Sequence, residues 1–471
     1  MSILQGFAPE RVLHYFEEIC SIPHGSGDTD RISDYCVNVA KNLGLDVTKD
    51  ALNNVIIKKP ASKGYESHEP IIIQGHLDMV CEKDADCDLD FSTDGLRLGV
   101  DGDWIYAKGT TLGGDDGIAV AMALAVLEDE TLPHPPIEAV FTTDEETGMY
   151  GAEGIDVSGL KGKLLLNIDS ECEGILTVSC AGGARAEIEI PLTAESNSLP
   201  CKKIVFKGLQ GGHSGVEIDK GRINADVLMG QFFKELPDGC RIVDAFGGTK
   251  DNAIPSRAEG IVATPWDLSQ IAAEFAAKNR PDTDPGLVIE ISDAETATIC
   301  YDEASTRRIG EFLTTVPNGI QAMSKNIDGL VQTSLNLGQL RCDNHTLTAT
   351  FSVRSSVGAE KKELLKKLES VAEKFGGSFD SHGDYPAWEY KEDSILRDTM
   401  IRVYREQYGK EPVVEAIHAG LECGFFCDKI PGLDAVSFGP DMKDIHTPRE
   451  RLNIPSVART YAYLCNILKE L

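Results

Sequence analysis

Residues 113–148 read GGDDGIAVAMALAVLEDETLPHPPIEAVFTTDEETG and hold two kinds of apolar segment in succession. The segment 117–128, GIAVAMALAVLE, is the clearest helix of the chain. Residues 137–141, IEAVF, form a short apolar run that ends in the acidic TTDEETG, which is the pattern of a buried strand followed by a polar loop. Helix and strand alternating in this way predict a largely parallel sheet covered on both faces, the α/β class.

Working outward, further strand-like runs lie at 70–74 and 163–168, each bounded by polar or glycine-rich residues. At the start of the chain, Val12, Leu13, Phe16, Ile19 and Cys20 recur at helical spacing within 9–22, and a second amphipathic helix is predicted over 30–42. Ligands of such sheets gather at the carboxyl ends of the strands, where most of the polar motifs discussed below would fall. Beyond SCAGGARAE the pattern becomes that of an α+β unit. Strands are predicted at 186–191, 202–208 and 346–353, with helices at 222–236 and 359–374. The chain leaves this unit near 385–390, and a helix over 394–408 leads to a last strand at 435–438. The expected organisation is a discontinuous first domain, 1–181 and 390–471, with an inserted domain at 182–389.

A chain of 471 residues is too long for one ordinary core, and 42% hydrophobic residues are ample for two. Its 45 basic and 76 acidic residues give a net charge of -31, which repels phosphate backbones and anionic lipid. Nucleic acid and membrane partners are therefore not expected. The first residues lack a basic segment followed by a long apolar run, and no uninterrupted apolar stretch reaches roughly 18 residues, so a cytoplasmic location is expected. The 13 cysteines are scattered through apolar segments, as reduced core thiols are, although Cys423 and Cys427 are spaced so that they could pair or bind metal.

Five sites place a hard or imidazole ligand in or just beyond a predicted strand or loop. They are His76 and Asp78 in QGHLDMV, Asp115 in LGGDDGIA, Glu145 and Glu146 in TTDEETG, Asp169 in NIDSE, and His446 in KDIHTPRE. Imidazole nitrogen with carboxylate oxygen suits zinc, and the lack of cysteine among them argues against a structural zinc finger. Each motif alone has an ordinary explanation. Asp115 and Asp116 could equally form a turn or cap the following helix, and Glu145–Glu146 could be a solvated turn. It is their joint order along one chain that points to a metal centre.

In wording and order these motifs resemble the di-zinc aminoacylase and carboxypeptidase family of metallopeptidases. GHLDMV, LGGDDGIA, DEETGMYGA, NIDSE and GGHSG are most similar to its Xaa-His dipeptidase branch, and the resemblance runs from IPHGSGDTDRISDY to HTPRERLNI. It implies two zinc ions bridged by Asp115, with His76 and Asp169 completing one position and Glu146 and His446 the other. Cobalt or manganese could substitute. Asp78 would hydrogen-bond His76 and fix its tautomer, and Glu145 would be the general base. The inserted domain would be a lid that also pairs two chains into a homodimer. Its His213 in GGHSG would hold the reacting carbonyl, and Asn252 in DNAIP and Arg354 in SVRSS would bind the substrate carboxylate. His418, Gly420 and Glu422 in HAGLECG would form part of the pocket wall, with Gly420 allowing close backbone approach. The expected reaction is hydrolysis of dipeptides such as those ending in histidine. Alternatives are a tripeptidase or N-acylamino-acid amidohydrolase of the same family, or an inactive metal-dependent binding protein. The residues themselves name no side-chain preference.

Overall fold

The computed structural model describes residues 2–343 and 345–471. The chain divides into two compact units. One comprises Met1–Ser179, Tyr390–Ala416 and Leu421–Leu471, the other Cys180–Glu389 and Ile417–Gly420.

The first unit is built on an eight-stranded sheet. Its centre is four strands, Ile137–Thr142, Ile71–His76, Leu164–Asn167 and Asp434–Ser437, in that spatial order and all parallel. Ile71–His76 and Ile137–Thr142 are buried at every position, as strands covered on both faces must be. Antiparallel strands Val55–Lys59 and Asp46–Lys49 extend one side. Helix Gly114–Glu128 packs on Ile71–His76 and on helix Glu10–Cys20. Ala119 through Leu127 are all buried on it, so its hydrophobicity has no polar stripe to orient it. Truncating one of these side chains, as in Leu124→Ala, costs about 2–5 kcal/mol.

The helix begins three residues earlier than 117–128, but Asp115 and Asp116 have non-helical backbone angles and neither side chain caps it. Both are turned to the sheet instead. A small antiparallel sheet, Met442–Lys443, Arg451–Asn453, Trp104–Ala107 and Leu98–Asp101, frames the loop that carries His446.

The second unit is built on a nine-stranded sheet whose pairings are all antiparallel, lined by a large apolar core with a smaller cluster around Cys201, Ala263 and Cys300. Gly182–Pro191 alternates from Ala184 onward, with Ala186, Ile188 and Ile190 buried. Helices Ala225–Lys234, Glu303–Thr315 and Gly358–Lys374 supply Phe232, Phe312 and Leu368 to the core. Asn224 starts the first of these by accepting from the Asp226 and Val227 N–H groups, which places its beginning after the expected residue 222. Several strands and two helices between 241 and 342 have no counterpart in the sequence expectation.

The expected boundaries differ from this division at two short segments. Cys180–Ala181 and Ile417–Gly420 join the second unit, because the Ala181 N–H lies against the carbonyl oxygens of Ile417 (3.2 Å) and Ala419 (3.0 Å) and Cys180 exchanges backbone bonds with Trp388. Among the described residues no helix is long and apolar enough to cross a membrane.

Candidate active site

Parallel strands all finish on one side, so the residues just beyond their carboxyl ends converge. His76 ends its strand, Asp169 lies two residues past Asn167, and Glu145 and Glu146 lie three and four past Thr142. Asp115 comes from the start of the buried helix, and His446 from the loop after Met442–Lys443.

Asp115 stands at the middle. Its Oδ1 is 3.1 Å from His76 Nε2 and its Oδ2 is 3.1 Å from His446 Nε2. Glu146 Oε1 lies 3.0 Å from His446 Nε2, and Asp169 Oδ1 lies 3.9 Å from His76 Nε2. Three groups have ligand atoms within 4.8 Å of one another and could each hold a cation: His76, Asp116 and Asp169; His76, Glu145 and Glu146; and Asp115, Glu146 and His446. Glu146 Oε1 is buried with the His446 ring beside it, so the two could share a cation. The donors are imidazole and carboxylate, a set that suits zinc, manganese or cobalt.

The electrostatics fit the same reading. Burial opposes protonation of His76, yet the Asp115 and Asp78 carboxylates raise its pKa well above the usual value. Hydrogen bonds to Asp115 and Glu146 push His446 up to about 10. Burial pushes the Glu145 carboxyl up to about 8; His76 opposes this, and the Glu422, Glu146 and Asp115 carboxylates add to it. So many carboxylates in one buried place require compensating positive charge.

Asp78 meets His76 through its main chain. His76 Nδ1 donates to the backbone carbonyl of Asp78 at 2.9 Å, while the carboxylate stands 3.6 Å away. The carboxylate is committed elsewhere. It accepts from Ser26 Oγ (2.8 Å) and from the N–H groups of Glu145 (3.0 Å) and Glu146 (3.3 Å). Asp78 therefore sets the His76 tautomer through its main chain and the acidic turn through its side chain. Asp144 opens that turn in the left-handed region, at φ 55°, which lets consecutive glutamates share one cleft. His446 has φ 58°, a strain of about 1–2 kcal/mol that surrounding contacts must hold.

Asp116, invisible as a functional residue in the sequence, is fully buried and accepts the His76 N–H at 3.2 Å. Gly75 makes room for it, since a Cβ there would meet Asp116 Oδ2 at 2.5 Å. Beneath the site lies a polar layer. Asn167 Nδ2 donates to Gln74 Oε1 (2.6 Å), and Gln74 Nε2 and Thr142 Oγ1 donate to Glu422 Oε2 (2.6 and 2.7 Å). Gln74 and Asn167 sit two residues before His76 and Asp169, a period-2 signal that could have been found once the strands were assigned. Glu422 is part of this layer, not a pocket wall.

The remaining expected residues, His213, Asn252, Arg354, His418 and Gly420, all belong to the second unit. His213 Nδ1 accepts from the Gly215 and Val216 N–H groups at 3.1 and 3.2 Å, which leaves Nε2 as the donor of a neutral ring. Burial and then the Arg354 charge lower its pKa. His418 Nε2 is 2.7 Å from Ser334 Oγ, and burial followed by the charge of Arg354 takes it down to about 4. Arg354 Nη1 donates to Tyr385 Oη at 3.1 Å, while its buried Nε has no partner. Asn252 accepts the Ser214 N–H through its carbonyl. A Cβ on Gly215 would lie 2.6 Å from the His418 carbonyl, so the GGHSG loop packs closely on the segment that carries Gly420. Arg354 is thus the charged member of the five, and its buried Nε remains to meet an anion. Ser334 and Tyr385, which orient His418 and Arg354, carry no local sequence signal.

Comparison with known proteins gives the same direction. Residues 72–470 match the model of peptidase family M20/M25/M40. The chain is 35% identical to the cytosol non-specific dipeptidase of Escherichia coli, with 100% of this chain and 99% of that protein covered. The crystal structure of an aminoacylhistidine dipeptidase from Vibrio alginolyticus superposes with a TM-score of 0.94 at 36% identity, covering 99% of this chain and 98% of that one. A tripeptidase from Staphylococcus aureus, at 16% identity and a TM-score of 0.57 over 98% of both chains, shares the fold.

Proposed function

The chain belongs to peptidase family M20/M25/M40, and we propose that it is a two-metal dipeptidase of the cytosol whose substrates include dipeptides ending in histidine. The observation that carries the metal reading is the Asp115 carboxylate, with one oxygen facing each of two histidines at 3.1 Å. The dipeptide substrate rests on the full-length relatives named as dipeptidases, and the cytosolic location on the name of the first of them.

In this reading Asp115 would serve both metal positions, with His76 and Asp169 completing one and Glu146 and His446 the other. Zinc is the metal the donor set favours, with manganese and cobalt as substitutes. Bound there, a pair of divalent ions supplies Lewis acidity and lowers the pKa of water. Glu145, held by its N–H on Asp78 and left out of the ligand set, takes the proton from the attacking water and returns it to the leaving amine. His213 donates through Nε2 to the oxygen of the reacting carbonyl. Arg354 and Asn252 take the C-terminal carboxylate of the substrate, His418 orients beside Arg354, and Gly420 admits the substrate backbone. Two chains pair through the second unit as a homodimer.

Turnover of β-Ala-His, Ala-His, Leu-Leu, Gly-Gly, a tripeptide and an N-acetyl amino acid by zinc-reconstituted protein tests the proposal, with Glu145→Gln alongside. Chelator-sensitive hydrolysis of dipeptides that collapses in the variant is the expected result. Preference for the tripeptide or the acetyl substrate would move the chain to another activity of the family, and zinc binding without hydrolysis of any of them would make it a binding protein.

A further inference from the structure

We propose that Glu450 is a positioning residue which sets the backbone that carries Asp115 and thereby the affinity of both metal positions. The proposal rests on the two-metal reading above. Glu450 is 3% exposed, and its carboxylate accepts four successive backbone N–H groups. Oε2 takes those of Leu112 (2.7 Å) and Gly113 (3.1 Å), and Oε1 takes those of Gly114 (2.8 Å) and Asp115 (3.4 Å). A buried carboxylate is tolerated only when its lone pairs are filled, and here the peptide donors of one loop fill them.

The loop is shaped around this side chain. Gly113 has φ +66°, where a side chain is strained, and a Cβ on Gly114 would stand 3.2 Å from Glu450 Oε1. Glu450 thus crowds the Gly114 position, whereas a Cβ on Gly113 would meet Met79 Sδ at 2.9 Å. The same short segment, His446 to Glu450, reaches Asp115 twice: His446 Nε2 faces its Oδ2 at 3.1 Å, and Glu450 holds its N–H.

The consequence follows from the place of Asp115. Its two oxygens face both histidines, so a displacement of its main chain moves a ligand atom of each metal position together. Metal sites tolerate only about 0.2 Å in ligand distance. Glu450 cannot be a ligand itself, since both its oxygens are committed to N–H groups. An isosteric amide turns an N–H toward N–H donors and breaks at least one pair of these bonds.

The test is equilibrium binding of Zn2+ to the full-length chain, by competition with a chelator of known affinity, for the wild type and Glu450→Gln. Expected is a loss of roughly 10- to 100-fold at both positions, the size typical when a residue that supports a metal ligand is changed. Equal zinc affinity in the folded variant, or weakening confined to one position, overturns the proposal. If E450Q does not fold, Gly114→Ala addresses the same contact from the loop side. Weaker zinc binding at both positions then supports the proposal, and wild-type affinity overturns it. A wild-type chain that binds no pair of ions would instead sink the two-metal reading on which this one stands.

Discussion

The edge of the parallel sheet and the antiparallel sheet of the second unit present functional groups in different ways. In the first, His76, Asp169 and the Glu145–Glu146 turn follow directly from strand ends, because parallel strands all point their carboxyl ends to one side. In the second, neighbouring strands end on opposite sides. Arg354 therefore sits within strand Thr346–Ser355, His213 in a two-residue strand, and His418 in a segment returned from far along the chain. The lesson is that a parallel sheet gathers ligands by topology, whereas an antiparallel one must gather them by individual contacts, such as Ser334 to His418 and Tyr385 to Arg354.

That contrast predicts different kinetic failures. Glu145→Gln, at the parallel edge, should lower kcat by about 10²- to 10⁴-fold while zinc stoichiometry, measured by elemental analysis, stays at that of the wild type. Loss of metal along with activity would show that Glu145 is a ligand and not the base. Arg354→Ala, in the antiparallel sheet, should lower kcat/KM by roughly 10- to 100-fold, mainly through KM, as expected for a lost charged hydrogen bond of about 1.5–3 kcal/mol. Steady-state kinetics on one dipeptide decide this. A fall in kcat at unchanged KM would assign Arg354 to the chemical step and erase the division of labour.

A smaller effect concerns stability of the second unit alone. Asp226 is fully buried, neither carboxylate oxygen has a hydrogen-bond partner, and burial raises its pKa well above the usual value. A folded-state pKa above the unfolded one means that the folded chain binds the proton more tightly. Stability is then highest below the unfolded pKa and falls as pH rises towards the folded one, by up to about 1.4 kcal/mol per pH unit. Asp226→Asn should remove this slope, so its advantage in Tm over the wild type should be larger at pH 8 than at pH 5. Parallel melting curves at the two pH values would contradict the assignment.

Much of the first unit could be read directly. The run 70–74 and the segment 117–128 are apolar enough that only a buried strand and a buried helix accommodate them, and the acidic loops after each strand mark the reactive edge. The second unit was less readable: Val288–Ala294 has no buried position to mark a core face, and bulges break the alternation in Arg241–Gly247 and Val331–Cys342. The hold of Asp78 on the acidic turn and the role of Asp116 were hidden for another reason. Their partners are main-chain N–H and C=O groups, which every residue possesses and no motif spells.

The sequence by itself determined the fold class and the order of the metal-type side chains, because these depend on residue type and period, while the reaction was read from resemblance to a known family. Tertiary structure alone decided which oxygen of Asp115 faces which histidine, that Asp78 holds the acidic turn, and that Glu450 grips the loop of Asp115. Each of those is a contact between chain segments remote in sequence, and packing geometry, not composition, fixes the distance.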